Sequence, residues 1–258
     1  MSESAAPAPV PNGHGAAPAP TLPPLYRRLE PVAPQRHGSL RLRASGFAFA
    51  AEASAIPLAA EEFVAAARTL PIVFAAQAPH MPVAVTGLAA GHSLYVGPDG
   101  QWRPGAYLPA YLRRVPFFLV RAAPQSDQLV LCLDPDAPLL SESEGEPLFD
   151  AEGKGTAVIE RAVQFCRAME EAGLRTRAMA QGLAELGLLK PAQVEVPHHG
   201  RTVRIDGFFA VDRAALMALP AERLAELRDR GWLEAVYAHL LSIGGLSALA
   251  QEAGPASA

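Results

Sequence analysis

Two pairs of side chains in the 258-residue sequence have the types and spacing for chemistry. Asp134 and Asp136 flank a proline directly after the apolar run Leu131–Leu133. Paired carboxylates at the end of a strand can do general acid/base work on a bound substrate. The same spacing suits turn capping, because an Asp side chain accepts hydrogen bonds from backbone N–H groups just ahead of it. His198 and His199 lie between Pro197 and Gly200, where adjacent imidazoles can ligate a metal with help from Glu195 or Asp206. A metal needs ligands that converge, and neighbours in sequence diverge, so an exposed hairpin tip accounts for the pair more simply. The catalytic candidates are therefore Asp134, Asp136 and His198.

Between Asp127 and Glu152 the chain carries eight carboxylates and no Lys or Arg. Glu142, Glu144, Asp150 and Glu152 are the candidates for calcium, since hard cations take oxygen ligands. The twelve-residue calcium loop is not matched: counted from Asp150, Lys154 falls on a ligand position and Arg161 ends the loop. A solvated acidic loop is the plainer account, and no metal or other cofactor is expected. Nucleophilic catalysis has little to build on. There is no Gly-x-Ser-x-Gly, neither cysteine has a neighbouring His, and His239 and Ser242 are helical neighbours without being a dyad. Gly153–Thr156 fails as a phosphate loop because no glycine stands where the pattern needs its first one.

The densest distinctive feature is aromatic and cationic: Trp102, Tyr107, Tyr111, Arg113, Arg114, Phe117 and Phe118. Aromatic rings with Arg build contact surfaces for a protein partner, a sugar or a base. The alternative is core and rim of a sheet, with Arg stems packed over apolar surface, and Pro104, Pro109 and Pro116 make the segment a rigid connector.

Positioning these residues requires a scaffold. Ser39–Ala44 alternates Leu with Arg, as a half-exposed strand does, and Glu61–Thr69 is a short helical piece stopped by Pro71. Pro71–Ala76 is a compact run of buried-strand type. Val83–Leu88, Ser93–Val96, Pro116–Arg121 and Gln128–Leu133 extend an antiparallel sheet of about five or six strands. Beyond Thr156 the period changes. Thr156–Ala172 and Thr176–Leu186 read as two amphipathic helices, separated at Gly173 and forming a hairpin. Val194–Val196 and Thr202–Val211 return to strand, and Pro220–Arg230 and Trp232–Ala250 end the chain as helices. The expected class is α+β, a mainly antiparallel sheet with helices concentrated in the C-terminal half. Residues 1–24, rich in Ala and Pro, are expected to be a disordered tail, and 25–252 a single domain.

Composition narrows the function classes. The net charge is −4 and no Lys/Arg block appears, which argues against nucleic-acid binding. Half of the residues are hydrophobic, so a disordered chain is excluded. Cys132 and Cys166 sit in apolar segments and are expected buried and reduced. The N-terminal stretch lacks the basic start and apolar run of a secretion signal. The last helix is interrupted by His239, Ser242 and Gly244–Gly245, so no membrane span is expected. A cytoplasmic protein follows, with export by a route that reads no N-terminal signal left open.

The sequence resembles the SapC family, bacterial proteins associated with surface layers. The resemblance rests on PIVFAA at Pro71–Ala76, the Gly-x-x-x-Gly-x-Ser-Leu-Tyr-Val run at Gly87–Val96, DGQW at Asp99–Trp102 and YLPAYLRRVPFFL at Tyr107–Leu119. LCLD at Leu131–Asp134, GEPLFDAEG at Gly145–Gly153, IDGFFAVD at Ile205–Asp212 and Gly-Trp-Leu-x4-AHLLS at Gly231–Ser242 continue it, so that it covers nearly all of 25–249. It implies a role linked to a surface layer, to export or to nutrient uptake, and it carries over no catalytic set. Two functions stand side by side. One is a non-enzymatic accessory protein that holds a protein partner or surface-layer component through Trp102, Tyr107, Tyr111, Arg113 and Arg114. The other is an enzyme that modifies a peptide or other imported small molecule with the strand-end carboxylates.

Overall fold

The computed structural model describes residues 22–44, 46–123, 125–198 and 201–253, so the tail expected over 1–24 falls outside it up to residue 21. The first half is short strands joined by turns. In chain order these elements are β1 (Glu30–Pro31), α1 (Pro34–His37), β2 (Arg41–Leu42), β3 (Ala55–Pro57), α2 (Phe63–Ala66), β4 (Ile72–Ala75) and β5 (Pro82–Val85). Then come α3 (Ala110–Arg113), β6 (Phe117–Arg121), β7 (Leu129–Leu133), β8 (Leu140–Ser141) and β9 (Glu146–Pro147). The second half holds α4 (Ala157–Glu185), the hairpin β10 (Leu189–His198) and β11 (Arg201–Val211), then α5 (Arg213–Met217), α6 (Ala221–Asp229), α7 (Trp232–Ser242) and α8 (Gly245–Glu252). The class is α+β, with antiparallel pairing and helices mostly in the C-terminal half.

The strands do not form one sheet. They form a five-stranded sheet ordered β10-β11-β4-β5-β3 and two three-stranded sheets, β1-β7-β6 and β8-β2-β9. The large sheet takes its two longest strands from the C-terminal half. β4 is a continuous apolar run because both of its faces are covered. Ile72 and Phe74 enter the main core with Phe63, Met179 and Val236, while Val73 turns to the other face against Phe208 and Leu246. Ser93–Val96 is not a strand; among the described residues its one pairing is an isolated bridge from Val96 to Trp102.

One helix replaces the expected hairpin. α4 is 29 residues long, about 44 Å, and runs through Gly173 without a break. Glycine lowers helix stability by about 1 kcal/mol relative to Ala, but the apolar stripe keeps its phase across it. Val158, Ala162 and Cys166 pack on β6 and β7 with Phe117 and Leu133, while Thr176, Met179 and Leu183 are buried at the other end. One helix thus closes two cores.

The stretch Trp232–Glu252, with a mean hydropathy of 1.4, is by length and composition the one candidate membrane span among the described residues. This corrects the expectation that His239, Ser242 and the glycines remove such a run, because the surrounding Ala and Leu outweigh them. The stretch divides into α7 and α8 at Ile243–Gly244, and 44% of its apolar window is buried inside the fold. His239 and Ser242 hydrogen-bond to the large sheet from within it.

Candidate functional site

Glu62 organises the aromatic and cationic segment. Its carboxylate is buried, with Oε1 accepting from the Tyr107 hydroxyl at 2.9 Å and the Ala110 N–H at 2.7 Å, and Oε2 from the Ala59 N–H at 2.9 Å. The start of α3 is thereby tied to the turn before α2. Burial and the adjacent Glu62 carboxylate push the Tyr107 phenol up to about 12. The sequence does not single out Glu62, because a Glu-Glu pair before an apolar run reads as a solvated first turn. The available signal was its place three residues after Ala59, where a Glu can reach back to a backbone N–H.

Successive helical positions point about 100° apart, so α3 and its end send Arg113 and Arg114 different ways. Arg113 is exposed, its guanidinium 5.4 Å from the Phe165 ring centre. Arg114 is buried, at 7% exposure. Its guanidinium carbon lies 3.9 Å from the Phe118 ring centre and 4.2 Å from that of Tyr111, with Tyr26 at 6.0 Å. The Tyr26 hydroxyl donates to Phe117 O at 2.7 Å and that of Tyr111 to Pro24 O at 2.8 Å, which holds both rings in place. Burial raises both phenols above their ordinary range, so these rings stay neutral faces for the cation. The ion pair with Glu170 is long, 4.0 Å, and Arg114 Nε is enclosed with no hydrogen-bond acceptor among the described residues.

Arg114 separates two hollows along α4. The first, about 540 Å³, is lined by Arg113, Arg161, Gln164 and Phe165 together with Arg114. The second, about 310 Å³, has Met81, Phe118, Met169, Leu174 and Arg177 in its walls, again with Arg114. Cys166 lines the first hollow, but burial pushes its thiol up to about 11, the reverse of an activated nucleophile. Burial raises the Cys132 thiol also, and both cysteines are free.

Of the other sequence-derived residues, Tyr111 joins this site as a wall of the second hollow against Arg114, while Trp102, Asp134 and Asp136 line neither hollow. Trp102 and Tyr111 are buried, Trp102 donating to Tyr107 O at 3.1 Å and stacking on Tyr95. Of the five residues expected to meet a partner, Arg113 is exposed and Tyr107 partly so, while Trp102, Tyr111 and Arg114 are core. Asp134 is 2% exposed, and its oxygens accept from the backbone N–H groups of Arg27 at 2.7 Å and Asp136 at 3.0 Å. Asp136 is exposed and pairs with Arg28. Asp134 therefore caps a turn and lines neither hollow, while Asp136 forms a surface ion pair. His198 ends β10 opposite Arg201, and His199 and Gly200 lie outside the described residues.

The calcium candidates are likewise dispersed. Glu142, Glu144 and Glu152 are exposed, Glu144 pairs with Arg43 at 4.0 Å, and Asp150 accepts from the backbone of Glu152 and Lys154. Among the described residues, no group of three or more His, Cys, Asp or Glu is placed to hold a metal ion.

A sequence-family model, SapC, matches residues 32–249. No curated protein and no solved structure matches the chain.

Proposed function

Because the chain belongs to the SapC family, we propose that it is an accessory protein that works by contact, linked to a surface layer or to export or nutrient uptake, and that its partner lies along α4. The carrying observation is Arg114, a buried cation in the walls of two open hollows whose Nε has no acceptor among the described residues. An enclosed donor left without an acceptor costs about 1–3 kcal/mol, more for a charged group. Three aromatic rings hold this cation in the walls of both hollows, where its charge favours a partner with acidic groups. The alternative, an enzyme built on Asp134 and Asp136, has less support, since both Asp134 oxygens already serve backbone donors.

The test is capture of a partner by the immobilised protein, comparing wild type with Arg113→Glu. Arg113 is exposed, so the variant retains the fold; replacing Arg114 as well would open the core and spoil the comparison. Loss of a specific partner from the variant supports contact along α4. An identical set of partners removes this surface from consideration.

A further inference from the structure

The chemistry of the two hollows restricts what can lie in them. α4 lines both without interruption from Val158 to Arg177, about 30 Å of helix. Four arginines face this length, Arg113, Arg114, Arg161 and Arg177, against one carboxylate, Glu170. Their charges are weakly answered within the chain. Arg113 lies over a ring and pairs with no carboxylate among the described residues. Arg161 pairs with Glu146 at 2.8 Å, but both side chains are more than half exposed, so the pair is readily exchanged. Arg114 comes no nearer to Glu170 than 4.0 Å.

Between the cations the walls are apolar, with Phe165, Phe117 and Val158 in the first hollow and Met81, Met169 and Leu174 in the second. Leu174 is 62% exposed, an apolar side chain left open to the groove. A polyphosphate or a bare anionic surface would satisfy the arginines and leave these walls wet. An extended peptide offers both kinds of group, because its side chains alternate along the strand. At about 3.3 Å per residue, 30 Å corresponds to about nine residues.

Resting on the contact reading above, we infer that the groove along α4 receives an extended acidic peptide segment of a partner protein, about nine residues long. Its carboxylates meet Arg113 and Arg161, and its apolar side chains fill the two hollows on either side of Arg114.

The test uses the full chain and fluorescein-labelled nonapeptides in which Asp, Ser or Lys alternates with Leu, read by fluorescence anisotropy. Polyphosphate and phosphatidylcholine vesicles containing phosphatidylglycerol serve as competitors. The Asp peptide is expected to bind at least tenfold more tightly than the Ser and Lys peptides. Arg113→Glu and Arg161→Glu are each expected to weaken it at least tenfold at an unchanged melting temperature, with Arg113→Gln and Arg161→Gln giving smaller losses in the same order. Equal binding of the Asp and Ser peptides, insensitivity to the arginine variants, or binding of polyphosphate or vesicles alone would overturn the inference. Gly173→Trp, which fills the second hollow, separates the two levels. If the Ser peptide binds and this variant expels it, the groove stands and the acidic chemistry falls; if no peptide binds, both fall.

Discussion

The Val211 N–H donates to His239 Nε2 at 3.0 Å, which fixes the protonation of a buried imidazole. Since Nε2 accepts, the ring proton sits on Nδ1, which donates to Ile72 O at 2.9 Å. Ser242, one turn on, accepts from Ile72 N–H and donates to His239 O. α7 is thus stitched through one neutral ring to β4 and to the end of β11.

Burial lowers the His239 pKa from 6.5 to about 4. A folded-state value below the unfolded one means that the unfolded chain binds the extra proton first. The stability this ring contributes is complete above pH 6.5 and is lost as the pH falls towards 4, by about 3 kcal/mol in total. Urea unfolding from pH 7.5 to 4 should show that loss. His239→Gln, which keeps a donor and an acceptor without titrating, should flatten this part of the profile; an unchanged profile would assign the acid sensitivity elsewhere.

Two glycines in α4 should respond oppositely to the same substitution. A Cβ at Gly173 meets nothing within 4 Å among the described residues, so Gly173→Ala gains helix propensity and stabilises by about 0.5–1 kcal/mol. A Cβ at Gly182 would run into the Trp232 ring, so Gly182→Ala destabilises by about 1–3 kcal/mol despite the same propensity gain. Chemical denaturation of the two variants checks the signs, and a stabilised Gly182→Ala would show that the indole yields freely.

Asp134→Asn should lower stability by about 1 kcal/mol, because one of the two part-buried backbone N–H groups that the carboxylate serves loses its acceptor. Asp136→Asn, at an exposed site, should stay within about 0.5 kcal/mol. Loss of partner binding by Asp136→Asn at full stability would restore a direct role for these acids.

Glu62→Gln replaces a carboxylate that answers three donors and should cost about 2 kcal/mol, whereas Tyr107→Phe should cost about 1 kcal/mol. In a double-mutant cycle the two should couple, since the hydroxyl and the carboxylate are direct partners. Strict additivity would mean that Glu62 acts through the two backbone N–H groups alone.

What the sequence made legible follows the range of the forces involved. β4, β6 and β7 stand close to where apolar runs and turn signals put them, because those signals are local. The assembly of three sheets was not legible, since the pairing of β11 with β4 joins residues far apart in the chain and leaves no short-range mark. Gly173 misled as a helix stop because its unfavourable propensity is small beside the packing of α4 on both cores. At the site, the cluster from Trp102 to Phe118 was visible as composition. Which of two adjacent arginines turns inward depends on the phase of α3, a helix of only four residues. Glu62 escaped notice because its burial comes from elements that arrive much later in the sequence.

β10 lies at the margin of the five-stranded sheet, and proline can occupy a paired strand only where its missing N–H would face away from the neighbour. Pro191 and Pro197 therefore strip two donors from the outer rim, and the register shift between Ala192 and Val194 twists what is left. A second molecule finds no regular ladder to extend there, so the longest hairpin of the fold stands at its boundary without seeding runaway growth of stacked strands.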